Sequence, residues 1–268
     1  MRLVNQPKNL KQAVIAVVTL ASACGVRADI VVHKLIENSV RGVAVITSSL
    51  ADSALETLTS KGIAAVTLNP VSTGRLVSTV TIDYERGLMQ AIDHVAALGH
   101  QSAAVIAGPE SNRTATAIKH VLVEGLRQKG LDPYPVIHSD YHFGAGASAV
   151  QGIISAKSAP TVLFCGSDLI AMGAISALEE AGVEVPQEIS IVGIDDLPFS
   201  FLARPALTTI RVPREELGQT AFAALEKVLK LKRQKGNEHI VETELVVRKS
   251  TAAKPEHATR VRMDAIEA

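Results

Sequence analysis

Short apolar runs alternate with helix-length stretches along most of this chain, and that alternation restricts the fold more than any other feature. Residues 42–47, 64–69 and 103–107 read as strands covered on both faces, with helical stretches at 50–61 and 85–98 between them. A second set follows: helix 116–129, strand 134–138, helix 145–156, strand 161–165, helix 168–181 and strand 190–194. Strands and helices in this order predict doubly wound parallel sheets joined by right-handed crossovers, an α/β fold. Two such sets predict two α/β units. Gly62, Gly99, Gly130 and Gly182 fall where helices should end.

With 268 residues the chain can bury a substantial core, as one large or two smaller domains. Charged residues make up 20% and the formal net charge is zero, so no basic field is available to hold a phosphate backbone by electrostatics alone. Cys24 and Cys165 stand far apart in apolar surroundings, the pattern of reduced, buried thiols. There is no P-loop, no Gly-x-Ser-x-Gly elbow and no His-Glu-x-x-His, so the sequence predicts no enzyme. Gly144 and Gly146 are a weak echo of a dinucleotide fingerprint and read as a helix start. His138, Asp140 and His142 share one loop, which is not a complete metal-ligand set of the usual kind.

The run VPQEISIVGIDDLPFSFLARPALTT (185–209) places two carboxylates, Asp195 and Asp196, at the far end of a buried strand. In an open parallel sheet the carboxyl ends of strands are where ligands bind. This run, with SDLIAMGAISALEEAGVEVP before it and VPREELGQTAFAAL after it, resembles the effector-binding core of the lactose-repressor and galactose-repressor (LacI/GalR) family of transcription regulators. The resemblance extends through IDYERG, HVAALGH and VIAGP upstream and ETELVVRKST downstream, so that it covers about residues 35–251.

The resemblance implies a periplasmic-binding-protein-like fold of two subdomains, with a ligand cleft between them and three chain crossings, near Gly108, Val212 and Glu238. The N-terminal subdomain is then 1–108 plus 213–237, with a helix at 215–231 returning to it. The C-terminal subdomain is 109–212 plus 238–252, and 253–268 is a polar tail expected to be disordered. It further implies a cytoplasmic homodimer that senses a small sugar-like or nucleoside-like effector without a cofactor or a membrane. Ligand would shift a population toward a closed cleft.

The resemblance also nominates the site. Asp195 matches the acid that hydrogen-bonds effector hydroxyls, and a carboxylate can accept from two at once. Tyr141, in DYHFGAG, matches an aromatic that stacks on the sugar face. Ser167 stands where an Asn often touches ligand. Asp168 is expected to cap the following helix, and Asp196 to close the turn after its strand. One departure stands out: the helix after Gly108 normally carries an Arg, with a Gly three residues later, and here those positions read Ile118 and Val121. A bidentate fork is replaced by a branched apolar side chain. Arg113 or Arg214 could supply a cation instead.

The N-terminal stretch allows two readings. Arg2, Lys8 and Lys11 ahead of AVIAVVTLASAC resemble a secretory signal, which would suit an exported solute-binding component of a transporter. The Val- and Ile-rich run also suits a buried strand at 13–19, the family's second strand, and that reading is favoured. Nothing before it is long enough for a helix-turn-helix headpiece, so operator DNA is a partner only if a headpiece lies outside this chain. The family's first strand has no counterpart either, which predicts an unpaired edge beside 13–19 and a tendency to aggregate.

Overall fold

The computed structural model describes residues 2–3, 15–19, 28–46, 52–68, 75–154, 160–231 and 236–255. In chain order its elements begin with β1 (Arg2–Leu3), β2 (Ile15–Thr19), α1 (Ala28–Glu37), β3 (Gly42–Ile46), α2 (Asp52–Ser60), β4 (Ala64–Thr67) and β5 (Val77–Asp83). They continue with α3 (Tyr84–Ala97), β6 (Ser102–Ala107), α4 (Arg113–Gln128), β7 (Asp132–His138), α5 (Phe143–Ile154), β8 (Val162–Cys165) and α6 (Asp168–Glu180). The last are β9 (Ser190–Asp195), β10 (Thr208–Arg211), α7 (Arg214–Leu231), β11 (Glu238–Glu242) and β12 (Glu244–Val246).

The chain divides into two units: Met1–Asp83 with Pro213–Val241, and Tyr84–Val212 with Glu242–Ala268. Each holds one sheet, in the orders β1-β2-β3-β4-β5-β11 and β12-β10-β9-β8-β6-β7. Pairing from β2 through β5, and from β7 through β10, is parallel. β1 and β12 add antiparallel edges.

Alternate residues of the second sheet serve different cores, as a strand's period of two requires. Ala104, Ile106, Leu163, Cys165 and Ile191 pack with α5 and α6. Ala103, Val105, Val162, Phe164, Val192 and Ile194 pack with α3 and α4. Burial on both faces explains why these strands read as continuous apolar runs. The first unit repeats the arrangement, with α1 and α2 on one face and α7 on the other. Gly62, Gly99, Gly130 and Gly182 all close helices with positive φ, where a side chain would be strained.

The chain leaves the first unit at Asp83, not near Gly108, because β6 belongs to the second sheet and α3 to the second unit. The other two passages, at Val212/Pro213 and Val241/Glu242, lie at or close to the expected places. β5 was absent from the sequence reading; its Ser and Thr residues dilute the apolar signal, yet Ser78 and Thr79 are buried. The edge expected to be unpaired beside 13–19 is paired in part, since β1 lies antiparallel to β2 at Ala16 and Val17.

The start of the tail expected to be disordered, 253–268, is held by Lys254, whose N donates to Leu98 O (2.9 Å) and whose Nζ donates to Gln101 Oε1 (2.7 Å). Residues 256–268, Cys24 and most of the stretch read as a secretory signal lie outside the described residues. Among the described residues no helix is long and apolar enough to cross a membrane.

Candidate functional site

The second unit carries a pocket of about 300 Å³ at the carboxyl ends of β6, β8 and β9. Tyr84, Asn112, Thr114, Ile118, Tyr141, Gly166, Ser167, Leu169, Ile194 and Asp195 line it. Two glycines make this convergence possible. A Cβ on Gly108 would overlap the Tyr141 ring, and one on Gly166 would come within 2.8 Å of the Gly108 nitrogen. Their bare backbones let two strand ends and an aromatic ring meet.

Asp195 and Asp196 both have positive φ, 114° and 52°. Side chains rarely occupy this region, and such strain persists only where surrounding contacts hold it. Asp195 faces the pocket with both tyrosines. Burial, then the Asp195 carboxylate, pushes the Tyr141 phenol up to about 12, and the same two causes raise that of Tyr84. Both phenols therefore keep their protons at neutral pH and remain donors beside an acceptor.

Asp196 faces arginines: Arg211 Nε lies 2.7 Å from its Oδ2 and Arg248 Nη2 lies 2.5 Å from its Oδ1. Burial raises its carboxyl pKa, but the hydrogen bonds and charges of the two guanidiniums outweigh that and hold it below the ordinary range.

Ser167, not Asp168 as expected, caps the helix. Ser167 is the N-cap of α6, its Oγ accepting from Ile170 N at 3.2 Å while it lines the pocket. Asp168 is fully buried and accepts from Leu197 N (2.8 Å), Ser200 Oγ (2.5 Å) and Thr209 Oγ1 (2.5 Å). It ties α6 to the turn after β9 and to β10. Burial raises its pKa against the lowering effect of those bonds, and also raises that of neighbouring Cys165.

Of the other nominated residues, Arg113 opens α4, is exposed and is not among the residues lining the pocket. Arg214 opens α7 in the first unit. Ile118 lines the pocket and is buried, whereas Val121 packs into the core beside α3. Among the described residues no Lys, Arg or His lines the pocket. His138 donates to Gly108 O (3.0 Å), and His142 Nδ1 accepts from Ala145 N (3.0 Å) at the start of α5. No cluster of three or more metal-ligating side chains occurs among the described residues.

Sequence reasoning missed Tyr84, Asn112 and Thr114. Asn112 is the N-cap of α4, its Oδ1 accepting from Ala115 N at 3.1 Å. An Asn shortly after a Gly-Pro pair is a capping signal, and starting the helix at 116 hid it.

The profile of the periplasmic binding protein-like domain matches residues 92–251. This chain belongs to the periplasmic-binding-protein-like family. Within that family it is an effector-binding core of the LacI regulator type. It is 33% identical over 179 residues to the HTH-type transcriptional repressor CytR of Escherichia coli (strain K12), covering 66% of this chain and 52% of the relative. It is 36% identical over 159 residues to the repressor PurR of Edwardsiella ictaluri (strain 93-146), covering 59% of this chain and 47% of the relative. The periplasmic-binding-protein-like chain thus spans about half the length of these curated relatives.

Among solved structures, a dimeric Lac repressor with an 11-residue C-terminal deletion superposes with a TM-score of 0.73 at 28% identity, covering 83% of this chain and 82% of that one. A LacI family regulator from Enterococcus faecium with bound ribose gives a TM-score of 0.74 at 27% identity, covering 86% of each chain. These relatives are regulators, not enzymes. They favour the sensing reading over an exported solute-binding component.

Proposed function

We propose that this chain is the sensing core of a cytoplasmic LacI-type transcription regulator and that the pocket at the ends of β6, β8 and β9 binds its effector. The effector class is a neutral, hydroxyl-rich small molecule, a sugar or nucleoside. The observation that carries this is Asp195: a carboxylate at a strand end, held at φ 114°, between two protonated phenols. A carboxylate accepts from vicinal hydroxyls, the phenols donate to ring or hydroxyl oxygens, and the Tyr141 ring offers an apolar face. Among the described residues the lining offers no cation and one carboxylate, Asp195, so it suits a neutral ligand better than a phosphate or carboxylate.

The ribose bound by a related regulator supports the sugar class, and the dimeric Lac repressor supports a homodimer. Operator DNA is a partner only if a helix-turn-helix headpiece accompanies this core, as the names of the HTH-type relatives suggest.

Isothermal titration with D-ribose, cytidine, adenosine and ribose 5-phosphate tests the proposal. At least one neutral compound should bind, ribose 5-phosphate should not, and Asp195→Asn should weaken binding roughly tenfold to a hundredfold, the worth of a hydrogen bond to a charged acceptor. Tighter binding of the phosphate than of its neutral counterpart, or unchanged affinity in Asp195→Asn, would overturn it.

A further inference from the structure

The two consecutive carboxylates after β9 look equivalent in sequence and are not. Asp195 faces the pocket, while Asp196 turns away into a chain of ion pairs. From Asp196 the chain runs to Arg211, the last residue of β10, and from Arg211 Nη1 to Glu244 Oε1 (2.8 Å) on β12. Arg211 lies one residue before Val212, where the chain leaves this unit, and Glu244 lies two residues after Glu242, where it re-enters. The first passage is laced to the third: Arg86 pairs with Glu242 (2.6 Å), Gly87 N donates to Thr243 Oγ1 (3.1 Å), and Leu245 N donates to Gln90 Oε1 (2.8 Å). Tyr84, at the first passage, itself lines the pocket.

From this connectivity we infer that Asp196 is a positioning residue: anchored by Arg211 and Arg248, it holds the backbone twist that aims Asp195 into the pocket and ties that turn to the segments through which the chain enters and leaves the unit. The significance for ligand sensing rests on the functional reading above, but the coupling itself needs no ligand. Two adjacent residues at positive φ form a turn with little intrinsic preference for its shape. An external restraint must supply that preference, and the two guanidiniums bind both oxygens of Asp196, Arg211 from the end of β10 and Arg248 from the segment after β12. Arg248 is fixed in turn by donating from Nη1 to Leu207 O at 2.8 Å. A loop held only by itself would carry no information to β10 or β12; this one is bonded to β10 directly and reaches β12 through Arg211.

Hydrogen exchange on the ligand-free full chain, read by mass spectrometry, tests this with Asp196→Asn, a change of charge at constant shape. Exchange should accelerate by about fivefold or more in peptides covering 195–198, 209–212 and 242–246, with 145–154 and 170–180 unchanged. Glu244→Gln cuts only the last link and should accelerate 242–246 alone; it also serves if Asp196→Asn does not fold. Acceleration confined to 195–198 in Asp196→Asn, or no change at 242–246 in Glu244→Gln, would overturn the inference. Asp195→Asn is the control that separates the two proposals: it should weaken binding of the neutral ligand found by titration roughly tenfold to a hundredfold while leaving exchange at 209–212 and 242–246 as in the parent. Were Asp195→Asn to bind normally, the pocket reading would fail and the exchange result would still decide the role of Asp196.

Discussion

Each unit of this chain has a hollow of similar size, and the two are built oppositely. The second unit's pocket, about 300 Å³, lies at the carboxyl ends of its strands around a carboxylate, two phenols and a glycine floor. The first unit's, about 380 Å³, lies where β3, β4 and β5 begin, bordered by Arg41, Ala64, Arg75, Leu76, Val228 and Leu229. Its two arginines are exposed and its walls are aliphatic. Volume therefore does not distinguish a binding site from a surface hollow here. The end of the sheet, the converging acceptor and donors, and the strained backbone at Asp195 do.

The strongest way to break the contrast is to remove what supports the second pocket. Asp168→Ala leaves Leu197 N, Ser200 and Thr209 without their shared buried acceptor, which should cost on the order of 3 kcal/mol and lower the thermal midpoint by roughly 10 °C. An unchanged melt would mean that the acid is not the hub its bonds describe. A cation at the mouth should come next in size. Leu169 lines the pocket at 36% exposure, so Leu169→Arg should bring ribose 5-phosphate binding up about tenfold relative to the parent, measured by titration. No gain would show that factors other than charge exclude anions.

A smaller effect separates the acids by pH. Asp196 has a lowered pKa, so its contribution to stability is present above the ordinary carboxylate value and lost as pH falls through the folded value, below about pH 4. Asp168 has a raised pKa, so its effect has the opposite sign: stability is greatest below the ordinary value and declines as pH rises through the folded one. Denaturant titrations from pH 3 to 7 should show Asp196→Asn flattening the acid limb only. The smallest effect is expected in the first unit. Arg41→Ala and Arg75→Ala should change stability by no more than about 0.5 kcal/mol and leave neutral-ligand affinity unchanged. A clear loss in either would make the first hollow a site after all.

The fold was legible wherever burial on both faces gave an uninterrupted apolar run, as at 162–165 or 190–194. It was least legible where the decisive fact was which sheet a strand joins. TIDYERG and the helix after it look like any strand-to-helix step, and nothing local says that β6 pairs with β7 and β8 rather than with β5. That Ser167 and not Asp168 caps α6 has the same origin. Both types cap helices, and the choice is made by Ser200 and Thr209, partners distant in sequence. Asp195 was suggested by its place at a strand end, and Tyr141 and Ser167 by the family resemblance; all three line the pocket. Tyr84 was not, since its place in the pocket depends on the passage at Asp83 having been located.

The pocket draws its side chains from five separate segments, around residues 84, 112–118, 141, 166–169 and 194–195, each contributing between one and a few. The groups that keep those segments in place, Asp168 and Asp196, contribute no lining of their own. Recognition and support are thus encoded at different positions, so preference for one small molecule over another can be rewritten a loop at a time in the course of descent. A lineage can exchange its signal molecule while inheriting the same scaffold unchanged.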